Sequence, residues 1–484
     1  MSSSENKKDL YYVHSAITIA LFVFTGFLPP FGDITPLGMK VLGVFLGMLY
    51  GWLTVGFAWP SLLGLFFLGV TGITDVGSAL SAGWGSLYAS VLVILGFVYA
   101  YYLESCKLTD VISAFFLTRK VLDGRPWVMV TLIILATWAL GAFVNIYASI
   151  FLMWSIMYKI FDIIGYEKRS MRVAYLISVI PFASTIGMIY LPFHGGPIMN
   201  MGFVRQAIPD FSIPTLDFLI YQTITLVLII IAVVICGKFL FRLDYSDMAK
   251  AENFAYLGGK KLTYEQKFGI CNLILLVAIL VAPDILPKGS SLNVFCKTLG
   301  ITGAFALCIA LAAIFKGKDG KSMLNISEAT SHVAWDIIWL LVATMPIATA
   351  MQSADCGIMS TIVGAITGLA GDMHWMMFTV IISITMGLVT QVSHNLILAI
   401  VLFAPMVQVC TGLGGDPSIF FMAMFWTNQI AFATPAASAT AAVVHGNSEW
   451  ISSKQAYATG TLWMVLTFII AVGLGTFVYG PMIF

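Results

Sequence analysis

The amino-acid sequence predicts an all-α polytopic membrane protein, with about 11 transmembrane helices plus two re-entrant hairpins arranged as inverted repeats. Three observations carry that expectation. Hydrophobic residues make up 60% of the chain and charged residues 10%, a composition that excludes an ordinary soluble domain. Apolar runs of membrane-crossing length recur from end to end. Two segments, Trp127 to Ile160 and Trp375 to Gln408, have the same length and are interrupted by polar residues, Asn145 in one and Gln391, Ser393, His394 and Asn395 in the other. Each is too long for one crossing of roughly 20 residues and too short for two crossings plus a turn, so each reads as a hairpin. Backbone that leaves the helix at membrane depth survives only against protein or a water-filled cavity, so polar tips predict a cavity for a solute.

The N-terminal region and first helix occupy residues 1–35. Met1 to Tyr12 is polar, and the apolar run near 14–30 lacks a small-residue cleavage site, which reads as a retained helix and not a signal peptide. The first repeat, 36–243, holds spans near 36–54, 56–73, 86–117, 172–204 and 214–241, with a hairpin at 124–163. A polar cytoplasmic linker, 244–267, leads to the second repeat, 268–484. There the spans fall near 268–286, 292–315, 333–369, 417–445 and 456–483, with a hairpin at 373–411. The repeat is visible in the residues. Trp127-Val128-Met129-Val130-Thr131 opens one hairpin and Trp375-Met376-Met377-Phe378-Thr379 the other. The polar breaks Glu104-Ser105-Cys106-Lys107-Leu108 and Ala354-Asp355-Cys356-Gly357-Ile358 precede them. An odd number of crossings separates the hairpins, so they enter from opposite faces, which is the arrangement of an alternating-access carrier with its site at the midplane.

Basic residues orient the chain. With the N-terminus in the cytoplasm, most of them, from Lys7 and Lys8 to Lys316, Lys318, Lys321 and Lys454, fall on the cytoplasmic side, while Arg205, Lys288 and Lys297 fall outside. The expected location is therefore a plasma or bacterial inner membrane, with the C-terminus outside. The 7 cysteines sit in or beside apolar runs without paired spacing and read as small core residues, not a disulfide or metal framework. A net charge of +1 points to no nucleic-acid partner.

A second pair of irregular segments follows the hairpins. Ser184, Thr185, Gly187, Pro192, His194, Gly195, Gly196 and Pro197 interrupt one span; Thr434, Pro435, Ser438 and Thr440 interrupt the other. Four broken elements can thus converge on one cavity. Glu104, Lys107 and Asp110 are spaced to share a helix face and neutralise one another, and Gly141, Gly364, Gly368 and Gly387 permit close helix approach.

This layout resembles the divalent-anion:sodium symporter family of the wider ion-transporter superfamily, over nearly the whole chain. Members typically carry Ser-Asn-Thr at each hairpin tip and Thr-Pro or Pro-Pro turns in the broken helices. Here the tips read Val144-Asn145-Ile146 and Ser393-His394-Asn395, Thr434-Pro435 matches the second turn, and His194-Gly195-Gly196-Pro197 stands where the first would be. The resemblance implies that tip residues and neighbouring turns coordinate sodium and a substrate carboxylate. It also implies a transport domain of hairpins and broken helices that moves against a scaffold in an elevator motion, the scaffold forming a homodimer.

A half-helix N-terminus offers free N–H groups and the positive end of its dipole, so it holds a carboxylate without Arg or Lys. The expected substrate contacts are Asn145, Ser149, Ser393, His394, Asn395, His194, Gly195, Gly196, Thr434, Pro435 and Ser438. The expected ion contacts are Asn145, Thr185, Gly187, Ser393, Asn395, Thr434 and Thr440, neutral oxygens that suit sodium and leave protons open. His194, His394 and His445 read either as proton-exchanging groups or as neutral rings bonded to backbone carbonyls. The expected activity is cation-coupled (Na+ or H+) symport of a small di- or tricarboxylate, without a cofactor. A proton-coupled or antiporting relative that carries a monocarboxylate or an inorganic oxyanion is the alternative. No P-loop, nucleophile elbow or His-Glu-x-x-His motif is present, which argues against an enzyme or an ATP-driven pump.

Overall fold

The structure, a computed structural model, describes residues 2–85, 91–257, 261–393, 395–435 and 437–484. Regular structure among them is helical, apart from one antiparallel bridge between Lys316 and Ser322. In that set 11 helices are long and apolar enough to cross a membrane.

Helix α1 (Ser2–Phe24) packs along α2 (Pro36–Thr54), which starts where Thr35 Oγ1 accepts the Gly38 amide at 3.0 Å and Pro36 presets the first turn. The span expected at 56–73 is instead α3 (Ala58–Val70) of 13 residues, about 20 Å and so shorter than a bilayer core. It stops at Thr71-Gly72, where Gly72 takes φ +90°, and Asp75 then caps α4 (Val76–Gly85) through Ser78. The apolar run misled because its last residues belong to a turn.

The next span is broken, as its polar residues predicted. Helix α5 (Leu92–Ser105) meets α6 (Leu108–Leu117) at a 65° bend, with Lys107 left-handed at φ 52°. This separates Glu104 from Asp110, which therefore do not share a helix face with Lys107. Helices α7 (Pro126–Phe143) and α8 (Ile146–Ile164) form the first hairpin. Helix α9 (Met171–Met188), a break, and α10 (Gly195–Arg205) follow, then α11 (Thr215–Ile235), which ends in a π-helical turn.

After the linker, α12 (Tyr264–Ile285) and α13 (Ser291–Ile314) pair, and the short α14 (Ile326–Ser331) leads into α15 (Trp335–Gln352). The second break mirrors the first. Gly357, at φ 66°, opens α16 (Ile358–Ala370), and a Cβ there would meet the Asp33 carbonyl at 1.8 Å, so only glycine fits. A 113° turn leads into the second hairpin, α17 (Trp375–Val389) and α18 (Asn395–Gly412). Helix α19 (Pro417–Gln429), an extended break and α20 (Ala439–Gly446) correspond to α9, break and α10. The chain closes with α21 (Ser453–Thr467), a π-helical continuation over Phe468–Tyr479, and α22 (Gly480–Ile483).

Hydrogen bonds fix which loops share a face. Gln266 Nε2 donates to Lys107 O (3.3 Å), Tyr101 OH to Glu328 Oε1 (2.7 Å), and Gly124 N to Ala249 O (2.8 Å). The α5–α6 break, the base of the first hairpin, the linker and the α13–α14 loop therefore lie together. Helices α12, α13 and α15 cross three times from there to the α15–α16 break, which Thr35 holds through its amide to Cys356 O (3.0 Å) and its hydroxyl to Asp355 O (2.6 Å). Three crossings put the two hairpin bases on opposite faces. The core runs along α9 and α19; every residue from Ile419 to Gln429 is buried.

Candidate functional site

The first hairpin is seated on α9 by contacts that only small residues allow. A Cβ on Gly141 would meet the Ser184 carbonyl at 2.3 Å and one on Gly187 the Trp138 carbonyl at 2.2 Å, so the two helices touch backbone to backbone. Gly187, expected among the ion contacts, is placed in this seam. Ser184 Oγ donates to Ile146 O (3.0 Å), and Ser149 Oγ to Thr137 O (3.0 Å) across the hairpin. Pro181 inside α9 has no N–H for the Ile177 carbonyl, and Trp154 Nε1 supplies the donor instead at 2.9 Å. Thr185 Oγ1 donates to Pro181 O (3.0 Å). At the tip, Asn145 Oδ1 caps α8 by accepting the amides of Tyr147 and Ala148 (2.8 and 3.2 Å). Both arms are of span length, 18 and 19 residues. The tip is fastened to the C-terminal part of α9 by the Ser184 bond to Ile146 O.

The break after α9 is satisfied by side chains. Gln222 Nε2 donates to Ile189 O (2.8 Å), and His194 Nδ1 bonds Met188 O at 2.9 Å. A carbonyl only accepts, so His194 carries its proton on Nδ1 and, when neutral, presents Nε2 as an acceptor. Helix α10 then begins without a side-chain cap. The Gly195 and Gly196 amides have no hydrogen-bond partner among the described residues, and a Cβ on either glycine would meet nothing within 4 Å. An open, positively polarised helix end results.

In the second repeat Gln391 stitches the hairpin tip to the break. Its Oε1 accepts the Ala433 amide (2.8 Å), its Nε2 donates to Gly387 O (2.7 Å), and its carbonyl accepts the Thr434 hydroxyl. Ser438 Oγ donates to Ala431 O (2.7 Å), accepts the Ala441 amide as the cap of α20 (3.1 Å) and contacts Thr440 Oγ1 (3.0 Å). Pro435 is exposed. Asn395 Oδ1 accepts the Leu396 amide (2.9 Å), and Ser393 is half-buried without a partner among the described residues. His394 lies outside the described residues. Helix α19 makes its last bond from Ile430 N to Trp426 O, so the buried carbonyls of Thr427, Asn428 and Gln429 have no donor among the described residues. They form a negatively polarised end.

The two repeats meet through buried amides. Asn200 Nδ2 donates to Gly196 O (2.7 Å), which turns Asn200 Oδ1 toward Asn428, whose Nδ2 donates to it at 3.3 Å. The chain of donors fixes both amide orientations and leaves Asn428 Oδ1, fully buried, without a partner. Phe182 and Phe432 also touch edge to face. On the face of the α8–α9 loop, Lys168 pairs with Glu449, Arg169 Nε donates to Ser448 O (2.8 Å), and Tyr158 stacks on Trp450 at 4.5 Å. Each tip is thus joined to its own break and the breaks to each other; no hydrogen bond among the described residues joins Asn145 to Ser393. Sequence reasoning passed over Gln222, Asn200 and Asn428 and gave Gln391 no role, although an amide inside an apolar run was itself the signal. Among the described residues no group of His, Cys, Asp or Glu is disposed to hold a metal ion.

No family model and no curated protein sequence matches the chain. Solved structures do. The YdaH transporter of Alcanivorax borkumensis superposes with a TM-score of 0.60 at 12% identity, covering 84% of this chain and 88% of its own. MtrF of Neisseria gonorrhoeae, described among a class of antimetabolite efflux pumps, gives 0.58 at 14% identity and 83% of each chain. The chain therefore has a membrane-transporter fold and is a multi-pass membrane protein. The resemblance to the divalent-anion:sodium symporters rests on the hairpin and break layout and on the tip and turn residues, Thr434-Pro435 above all.

Proposed function

We propose that the chain is a secondary active transporter for a small organic anion, coupled to Na+ or H+. The observation that carries this reading is the uncapped start of α10, with free Gly195 and Gly196 amides, tied through Asn200 and Asn428 to the unsatisfied end of α19. The α10 amides suit a carboxylate, and Asn428 Oδ1 with the α19 carbonyls suits a small cation, so one buried seam accommodates both charges. Ser393, Asn395, Thr434 and the tip residue Asn145 complete the cavity wall in this reading. The di- or tricarboxylate preference follows from the family resemblance, as do the elevator motion of the hairpin repeats and a scaffold homodimer. The N-terminus is assigned to the cytoplasm because the face of the linker and the α13–α14 loop carries the basic residues.

A second reading is export or antiport of a related anion. It is favoured by the likeness to MtrF, a member of a class of efflux pumps. One experiment addresses both: proteoliposomes loaded or surrounded with a panel of labelled mono-, di- and tricarboxylates, under a sodium or a proton gradient of either sign. Gradient-driven accumulation with counterflow is the expected result. Non-saturable flux with no counterflow would make the protein a channel and end the carrier reading.

A further inference from the structure

A cleft of about 630 Å3 opens on the face where α5 ends and α12 begins, far along the chain from the hairpin tips. Its walls come from three stretches: Ser105 and Cys106 at the α5–α6 break, Lys261 ahead of α12, and Lys318 and Lys321 in the turn between α13 and α14. That turn is not loose. The Lys316–Ser322 bridge closes it, and Gly317 N donates to Lys321 O at 2.8 Å.

Two carboxylates border the cleft, and backbone amides engage both. Glu265 Oε1 accepts the Lys318 amide (3.1 Å) and Asp319 Oδ1 the Lys321 amide (3.0 Å). Lys168 and Glu449 form an ion pair elsewhere on the molecule. Three exposed ammonium groups therefore border one cavity against two carboxylates, both already engaged by backbone amides; Glu265 offsets part of the Lys318 charge, and the cleft keeps a net positive lining. Toward the hydrocarbon, the ends of α12 and α13 expose Leu262, Tyr264, Ile314 and Phe315. A rim of cations above an apolar wall, at the end of membrane-crossing helices, matches one kind of molecule.

We propose that this cleft binds the phosphate headgroup of an anionic phospholipid, whose acyl chains lie on the exposed side of α12 and α13. A free phosphoester satisfies the ammonium groups but leaves the apolar wall bare, which is why the lipid is the assigned source. Because Ser105 and Cys106 form one wall, an occupied cleft braces the bend between α5 and α6.

The test uses the purified full-length chain and native mass spectrometry after exchange into mixtures of phosphatidylglycerol and phosphatidylcholine with the same acyl chains. Wild type is expected to retain phosphatidylglycerol preferentially, K261Q/K318Q/K321Q to retain it at least tenfold more weakly, and K288Q/K297Q, on the opposite face, to match wild type. Glycerol phosphate and inorganic phosphate at millimolar concentration are expected to leave retention unchanged. Displacement by either would show a soluble phosphoester site and overturn the lipid assignment. Equal retention of the two lipids, or no loss in the triple glutamine variant, would overturn the site. Should that variant fail to fold, K261R/K318R/K321R must keep the preference and the single glutamine variants must each weaken it; failure of either also refutes the proposal. None of these readouts depends on transport.

Discussion

Replacing Gln391 isolates the contact that holds the second hairpin tip to its break. Gln391→Met keeps length and shape but removes the oxygen that accepts the Ala433 amide at 2.8 Å. Ala433 is buried, so its N–H loses its partner out of reach of water, at a cost of about 1–3 kcal/mol. The Gly387 carbonyl is less affected, because the Thr390 hydroxyl still donates to it at 2.8 Å. A loss near 2 kcal/mol raises the population of the detached tip about 30-fold. Hydrogen–deuterium exchange of peptides covering 430–438, in nanodiscs, reads this directly as faster exchange by about that factor. Thr434→Val provides the control. It removes the hydroxyl bond to the Gln391 carbonyl but leaves the Ala433 amide satisfied, so its effect should stay near 1 kcal/mol or below. Wild-type exchange in Gln391→Met, or equal acceleration in both variants, would refute the claim that the buried amide holds the tip.

Other expectations follow from the same geometry. Gly187→Val places a branched side chain against the Trp138 carbonyl and the Ala142 amide, and should unseat the first hairpin, seen as a large fall in melting temperature and new thiol accessibility of a cysteine introduced at Phe143. Gly196→Val meets open space, so the melting temperature should hold while substrate affinity falls at least tenfold; unchanged binding would remove α10 from the site. Trp154→Phe strands the Ile177 carbonyl left free by Pro181 and should cost about 1–3 kcal/mol by thermal unfolding. Asn428→Leu removes an acceptor that already lacks a partner but strands the buried Asn200 Oδ1, so it should lower thermal stability by about 1–3 kcal/mol and abolish the response of transport to its driving cation; full coupling in the variant would exclude Asn428 from ion binding.

Much of this architecture was readable in advance because each break wrote itself into the sequence as polar residues inside an apolar run. Glu104 to Leu108 and Ala354 to Ile358 are observed breaks, and the hairpins lie within a few residues of 124–163 and 373–411. Span 56–73 was misread because hydropathy does not distinguish the turn after Val70, with its apolar Ile73, from more helix. Close helix approach was half legible: Gly141 and Gly387 are tight contacts, whereas Gly364 and Gly368 face open space. At the site, the Thr185 and Ser149 hydroxyls, read in the sequence as an ion and a substrate contact, donate their protons to backbone carbonyls, which leaves only their oxygen lone pairs for a ligand. Sequence shows that a side chain is polar; it does not show whether the polar need is already met by its neighbours. Asn200 and Asn428 illustrate the converse, since their pairing across 228 positions leaves no local trace.

Cys106 and Cys356 occupy equivalent positions in the two bends, one on each face, and both thiols are buried. The pair can serve as built-in reporters: a maleimide offered from one side or the other should be taken up faster at whichever thiol is uncovered by movement of its joint, Cys356 starting from full burial and Cys106 from the wall of the cleft. Kinetics of alkylation followed peptide by peptide, so that the exposed Cys271 and half-buried Cys236 are counted apart, can then time the two joints separately and tell whether they swing together or in turn.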